Sequence, residues 1–192
     1  MLRAFLIGSL LLALSACEVQ RAFNSTDITG SGFAKDFQLV DHTGTPRTLA
    51  DYRGKVIAIF FGFTHCPDVC PTALTQMKAV KDALGRDADH FQVLFVTVDP
   101  ERDTPQLLAQ YVPAFDPSFV GLTGDADAIA STAKEFKIFY QKVPGSSPDR
   151  YSMDHSAATY LFDTQGRIRL YVRNGHGPET IAQDVKRLLA EG

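Results

Sequence analysis

Residues 55–71 read KVIAIFFGFTHCPDVCP, an apolar run that ends in two cysteines four positions apart. Lys55 to Gly62 is rich in β-branched and aromatic side chains without polar alternation, the pattern of a strand buried on both faces. Thr72 to Leu84 follows with helical spacing through Leu74, Met77, Val80 and Leu84. Pro71 suits the first turn of such a helix, where its missing N–H costs nothing. Cys70 therefore caps or enters the helix, with Cys66 in the loop before it.

Downstream, Phe91 to Val98 is a second buried strand, stopped by Asp99-Pro100. Thr104 to Tyr111 is helical, Phe119 to Leu122 a short strand, and Ala126 to Phe136 helical again. Lys142 to Arg150, with its prolines, glycine and serines, reads as a loop. Thr159 to Asp163 and Arg167 to Val172 form a hairpin, and Glu179 to Ala190 is a closing amphipathic helix. Upstream, Phe37 to Val40 and Arg47 to Leu49 flank the turn-like Asp41-His-Thr-Gly44 as an opening hairpin. This alternation implies an α/β domain: a central mixed β-sheet flanked by helices, with an N-terminal β-hairpin extension. Ligands of such sheets gather beyond the carboxyl ends of strands. Cys66 and Asp99 both fall there.

The N-terminus, MLRAFLIGSLLLALSAC, is of another kind. Its apolar run from Phe5 to Leu14 is shorter than the roughly 20 residues that span a bilayer, but it fits a signal-peptide core. Leu14-Ser-Ala-Cys17 resembles a bacterial lipobox, whose cysteine takes lipid and opens the mature chain. An ordinary secretory signal and an uncleaved anchor are the alternatives. The lipidated reading divides the chain into a signal peptide at 1–16, a polar tether at 17–34 and a domain at 35–192. It places the domain at a membrane of the bacterial cell envelope, on the periplasmic side. Of the 3 cysteines, Cys17 then carries lipid, and Cys66 and Cys70 remain as a pair.

The composition, 45% hydrophobic and 21% charged over 192 residues, is that of one soluble domain with a real core. A formal net charge of -3, without any basic run, argues against nucleic acid as a partner.

A helix N-terminus favours anions, so at least one thiol of the pair is expected to have a lowered pKa. Thiolates exchange disulfides and bind soft metals, and the spacing permits either. A purely structural bridge is a weak third alternative, because so short a loop restrains little chain entropy. A metal needs a further ligand. Of the 5 histidines, His42, His65, His90 and His176 read as turn or surface residues. His155, in Ser152-Met-Asp-His-Ser156, occupies a rim loop before the strand at Thr159, and spacing alone leaves its role open. Two thiolates and an imidazole suit copper, as Cu(I) or, with an added oxygen or an open position, Cu(II). Structural zinc wants four protein ligands, and there is no second cysteine pair. On the residues alone, redox thiols and copper stand level.

Five words in the chain carry a resemblance: Asp27-Ile-Thr-Gly30, Phe37-Gln-Leu-Val-Asp-His-Thr-Gly44, Phe61-Gly-Phe-Thr-His-Cys-Pro-Asp-Val-Cys-Pro71, Val96-Thr-Val-Asp-Pro-Glu-Arg-Asp-Thr-Pro105 and Asp154-His-Ser156. In this order they resemble the Sco/SenC family, thioredoxin-fold proteins of cytochrome c oxidase assembly. CPxxCP with a distant Asp-His-Ser is far more specific than a lone CxxxC. The resemblance implies a thioredoxin-like fold and one copper on Cys66, Cys70 and His155, the cysteines also cycling through a disulfide. It implies a metallochaperone for the binuclear copper centre of the oxidase copper-binding subunit, served by a thiol reductant protein and an upstream copper donor. A thiol–disulfide reductase for the oxidase cysteines, or a redox or copper sensor, are the alternatives. Similar thioredoxin-like proteins have a cis-proline before the strand that faces the cysteines. Here that stretch is Ser156-Ala-Ala158, with His155 just upstream, and the wide cysteine spacing is read as room for a metal. Asp99 and Asp154 are candidates for orienting His155 or steering a partner, against plain turn roles. Asp68 is expected to be exposed.

Overall fold

The computed structural model describes residues 22–147, 150–173 and 175–192. In chain order they form β1 (Thr26–Asp27), β2 (Leu39–Asp41), β3 (Pro46–Arg47), β4 (Val56–Gly62), α1 (Val69–Leu84), β5 (Phe91–Thr97), α2 (Pro105–Tyr111), β6 (Val120–Thr123), α3 (Ala126–Glu135), β7 (Tyr140–Ser147), β8 (Arg150–His155), β9 (Thr159–Phe162), β10 (Ile168–Val172) and α4 (Pro178–Ala190). The apolar run becomes β4, buried at every position and central in a sheet of order β1-β10-β9-β4-β5-β6-β2-β3. β4, β5 and β6 run parallel, β9 lies antiparallel on the other side of β4, and the hairpin β2–β3 extends the sheet beyond β6. This is the expected mixed α/β architecture.

Alternate residues of β4 feed two cores, as the pleat requires. Phe60 packs against Phe95 with ring centroids 6.2 Å apart, and Phe61 packs against Phe136, beyond α3, at 5.4 Å. α1 buries Leu74, Met77, Val80 and Leu84, and α4 buries Ile181, Val185 and Leu188. Each such side chain contributes about 1.5–3 kcal/mol of burial. α1 ends at Gly85, whose φ of 61° is a left-handed conformation that glycine adopts without penalty.

Three expectations differ from the structure. The stretch Lys142 to Arg150, read as a loop, belongs to the two-stranded antiparallel ribbon β7–β8. Its strands pair only with each other and are largely exposed, so they need no apolar alternation. The polar stretch assigned to a tether through residue 34 is folded onto the domain from about residue 23. Thr26 and Asp27 pair with β10, and the backbone N–H groups of Asn24 and Ser25 both donate to the buried Asp184 carboxylate at 2.8 Å. Finally, α1 starts at Val69 rather than Thr72, which draws Cys70 into its first turn. Residues 1–21, on which the expected signal peptide and Cys17 fall, lie outside the described residues; among those described, no helix is long and apolar enough to cross a membrane.

Candidate metal centre

The carboxyl end of β4 sets the site. Beyond Gly62 the chain turns through Thr64 and His65 to Cys66, whose N–H donates to the Phe63 carbonyl, and enters α1 at Val69. Cys70 is fully buried in the first helical turn, while Cys66 is half-buried in the preceding loop. His155 is the last residue of β8, not part of a free rim loop as its sequence position suggested. The Cys66 and Cys70 sulfurs and a His155 ring nitrogen all lie within 4.8 Å of one another. Cys70 Sγ is 3.6 Å from His155 Nε2. Residues 85 positions apart in the chain thus converge on one point, where a single ion can touch all three donors.

The histidine is held for this task. Its Nδ1–H donates to the Ser156 carbonyl at 3.0 Å, which leaves the Nε2 lone pair for the cysteines. Phe60 and Phe63 pack edge-on against the imidazole, with centroids 6.1 and 5.8 Å away. Burial lowers the imidazole pKa, against smaller opposing effects of the Ser156 carbonyl and the Asp154 charge. The ring therefore favours its neutral, metal-ligating form.

The expectation of a lowered thiol pKa is corrected for Cys70. Burial pushes this thiol far up, the Phe63 backbone N–H works the other way, and neighbouring Cys66 raises it further. Desolvation outweighs the helix dipole at this depth. A cation that displaces the proton supplies the charge the buried sulfur lacks.

Asp99 does not touch His155. Its carboxylate accepts from Arg102 Nε and, at 2.8 Å, from the Tyr151 hydroxyl. Arg102 donates to the Tyr151 carbonyl at 3.0 Å, and its guanidinium carbon sits 3.5 Å from the Tyr151 ring centroid. Lys142 lies over the same ring at 4.2 Å. Asp99 thus fastens β8, the strand that carries His155, to the end of β5. Asp154 is exposed and acts on His155 through its charge alone; Asp68 is exposed as well.

Sequence reasoning missed Asp103, which is fully buried. It accepts from the Thr64 N–H at 3.0 Å, the Thr64 hydroxyl at 2.6 Å and the Thr97 hydroxyl at 2.7 Å. These bonds tie the cysteine loop to the end of β5. The available signal was the second aspartate of Asp99-Pro-Glu-Arg-Asp103, which reads as a solvated turn. The other histidines stay apart from the cluster. His65 and His90 are exposed, His42 is half-buried and accepts the Gly121 N–H at 3.0 Å, and His176 lies in the loop before α4.

Gly62 provides space for the buried sulfur. A Cβ there would stand 2.8 Å from Cys70 Sγ and 2.9 Å from both Phe60 and Phe95. Gly62→Ala is therefore expected to cost about 1–3 kcal/mol of stability by overpacking. It should also shift Cys70 and weaken metal binding more than Ala substitution at exposed Gly30, as urea unfolding and metal competition would measure.

The SCO1/SenC family profile matches residues 25–190, and the chain belongs to that family. It is 38% identical over 157 residues to the mitochondrial SCO2 homologue of Mus musculus, covering 81% of this chain and 62% of that one. The chain thus spans about three-fifths of that relative's length. A SCO2-like protein of Rickettsia felis is 38% identical over 152 residues, 79% of this chain and 74% of the relative. The structure of Bradyrhizobium japonicum ScoI with copper bound superposes with a TM-score of 0.74 at 43% identity, covering 80% of this chain and 97% of that one.

Proposed function

We propose that this protein is a copper chaperone that binds one copper ion through Cys66, Cys70 and His155 and delivers it to the binuclear copper centre of cytochrome c oxidase. The convergence of two sulfurs and one imidazole nitrogen within 4.8 Å carries this reading. Such a donor set is soft enough for Cu(I), and it keeps an open position for an incoming ligand. The copper-bound Bradyrhizobium relative supports the same metal. Copper is cargo here: it enters as two thiol protons leave, and exits as the acceptor's ligands replace this set one by one. Phe139, 59% exposed, is bonded through its backbone to Ser156 beside the site, which suits docking of the oxidase copper-binding subunit. The reaction is tested by mixing reduced, copper-loaded protein with the metal-free copper domain of that subunit. Copper recovered on the acceptor domain once the two proteins are separated supports delivery; copper that stays on the carrier contradicts it.

A second reading, a thiol–disulfide reductase for the oxidase cysteines, is favoured by the closeness of two free thiols. In cells lacking the protein, oxidase activity restored by added copper supports delivery. Restoration by a small thiol reductant alone supports the reductase.

We place the domain outside the cytoplasm on a lipid anchor at Cys17, after removal of residues 1–16 as a signal peptide. The support is the Leu14-Ser-Ala-Cys17 word and its apolar core. An upstream copper donor and a thiol reductant would then meet it in that oxidising compartment. Cys17→Ser should leave the precursor unprocessed or release it into the soluble fraction, as cell fractionation reads. Normal processing and membrane retention of this variant would sink the assignment.

A further inference from the structure

Two segments carry the metal-site donors, and one turn holds both. Residues 99–103 lie between β5 and α2, and the Arg102 and Asp103 N–H groups close the turn on the Asp99 carbonyl at 3.2 and 2.9 Å. From this turn Asp103 binds Thr64, two residues before Cys66. Asp99 accepts the Tyr151 hydroxyl at 2.8 Å and Arg102 donates to the Tyr151 carbonyl, four residues before His155. Residues four apart on a strand share a face, so Tyr151 and His155 leave the ribbon on one side, about 13 Å apart along it. Arg102 reaches toward both: its guanidinium carbon is 3.5 Å from the Tyr151 ring centroid and 5.9 Å from that of Phe63, which packs against the His155 imidazole. The ribbon's ladder is internal, so its docking rests on side chains. Besides buried Met153, these are the exposed pair Lys142–Glu101, of little worth, and the Tyr151 cluster. In that cluster the hydroxyl meets a carboxylate only 2% exposed, and a bond to a buried charge is among the stronger ones.

We propose that Tyr151, through its hydroxyl bond to Asp99, is the positioning residue that keeps His155 at the two cysteines, acting through the ribbon and touching no metal. The inference rests on the copper reading above. A ribbon held less firmly is docked for less of the time, and copper retention falls in proportion to the docked fraction. The cysteine loop has its own tie to the turn, through Asp103 and Thr64, so loss of the Tyr151 bond leaves the sulfurs in place.

The test is Tyr151→Phe, which removes one oxygen and keeps the ring that Arg102 and Lys142 face, made both in the wild type and in His155→Ala. Copper retention by the reduced protein against a chelator should fall about tenfold in the wild-type background, the worth of one hydrogen bond to a charged group. It should fall no further in the His155→Ala background, where the ribbon carries no ligand, and this absence of effect separates positioning from a merely structural role. Amide hydrogen exchange should quicken in β8 and stay unchanged in β4. Retention equal to the parent's, a fall of the same size in both backgrounds, or exchange that quickens equally in β4 overturns the inference and leaves the copper reading standing. A His155→Ala protein that retains copper as well as the wild type overturns both.

Discussion

Replacing Cys66 and Cys70 together by serine should leave the protein folded and unable to hold copper. Serine nearly matches cysteine in volume, and the fold is held by β4, β5 and the helices rather than by the sulfurs. The expected stability cost is therefore small, about 1 kcal/mol, mostly for placing a hydroxyl where the fully buried Cys70 sits. The metal loses both soft donors, and a lone imidazole is a weak site for Cu(I). Copper retention should fall by at least about a thousandfold, since each lost ligand bond is worth several kcal/mol in a closed site. Circular dichroism beside equilibrium dialysis checks both halves of the expectation. Copper that remains bound at full occupancy in the double variant would move the site elsewhere on the chain.

The second large effect follows from the pair having two exclusive states. Both cysteines are free thiols here, and their sulfurs lie within 4.8 Å of each other. Closing them into a disulfide needs only a small adjustment of the half-buried Cys66 loop, since Cys70 is fixed in α1. A disulfide sulfur is not a thiolate and does not replace one as a ligand. The oxidised protein should therefore bind copper at least about a thousandfold more weakly than the dithiol, leaving His155 as the one donor of the three. At the proposed location outside the cytoplasm an idle pair would drift toward disulfide, and a thiol reductant would then have to act before loading. The measurement is copper uptake by the isolated disulfide form, before and after a dithiol reductant. Equal affinity in the two forms would remove the redox gate.

What the sequence disclosed depends on how each element is stabilised. β4, β5 and α1 are held by apolar burial, which writes itself into runs and periods that a linear reading finds. The ribbon β7–β8 is held by its own ladder and by Arg102, Lys142 and Asp99 gripping Tyr151, so it carries no apolar period. Pro144 and Gly145 made it look like a loop. β1 was hidden for a similar reason: two exposed residues pair with β10, and their neighbours are anchored by Asp184 about 160 positions away. At the site, the cysteines were legible from their own spacing, but His155 needed a resemblance because strand β8 brings it across the fold. Asp103 was illegible, since nothing local distinguishes a buried carboxylate with three donors from one in a solvated turn. The Cys70 thiol was misjudged because a helix N-terminus can be read from sequence and depth of burial cannot.

The participation of His155 separates a metal carrier from a thiol reductant, since disulfide exchange has no need of a third ligand. The direct test is copper stoichiometry and retention of the reduced wild type beside His155→Ala. A copper site made of all three side chains predicts one copper per wild-type chain and about a hundredfold weaker retention in the variant, with unchanged secondary structure and thiol count. Equal stoichiometry and retention in the two proteins would contradict it, leaving the cysteines as a redox pair and the imidazole 3.6 Å from Cys70 without a part in holding copper.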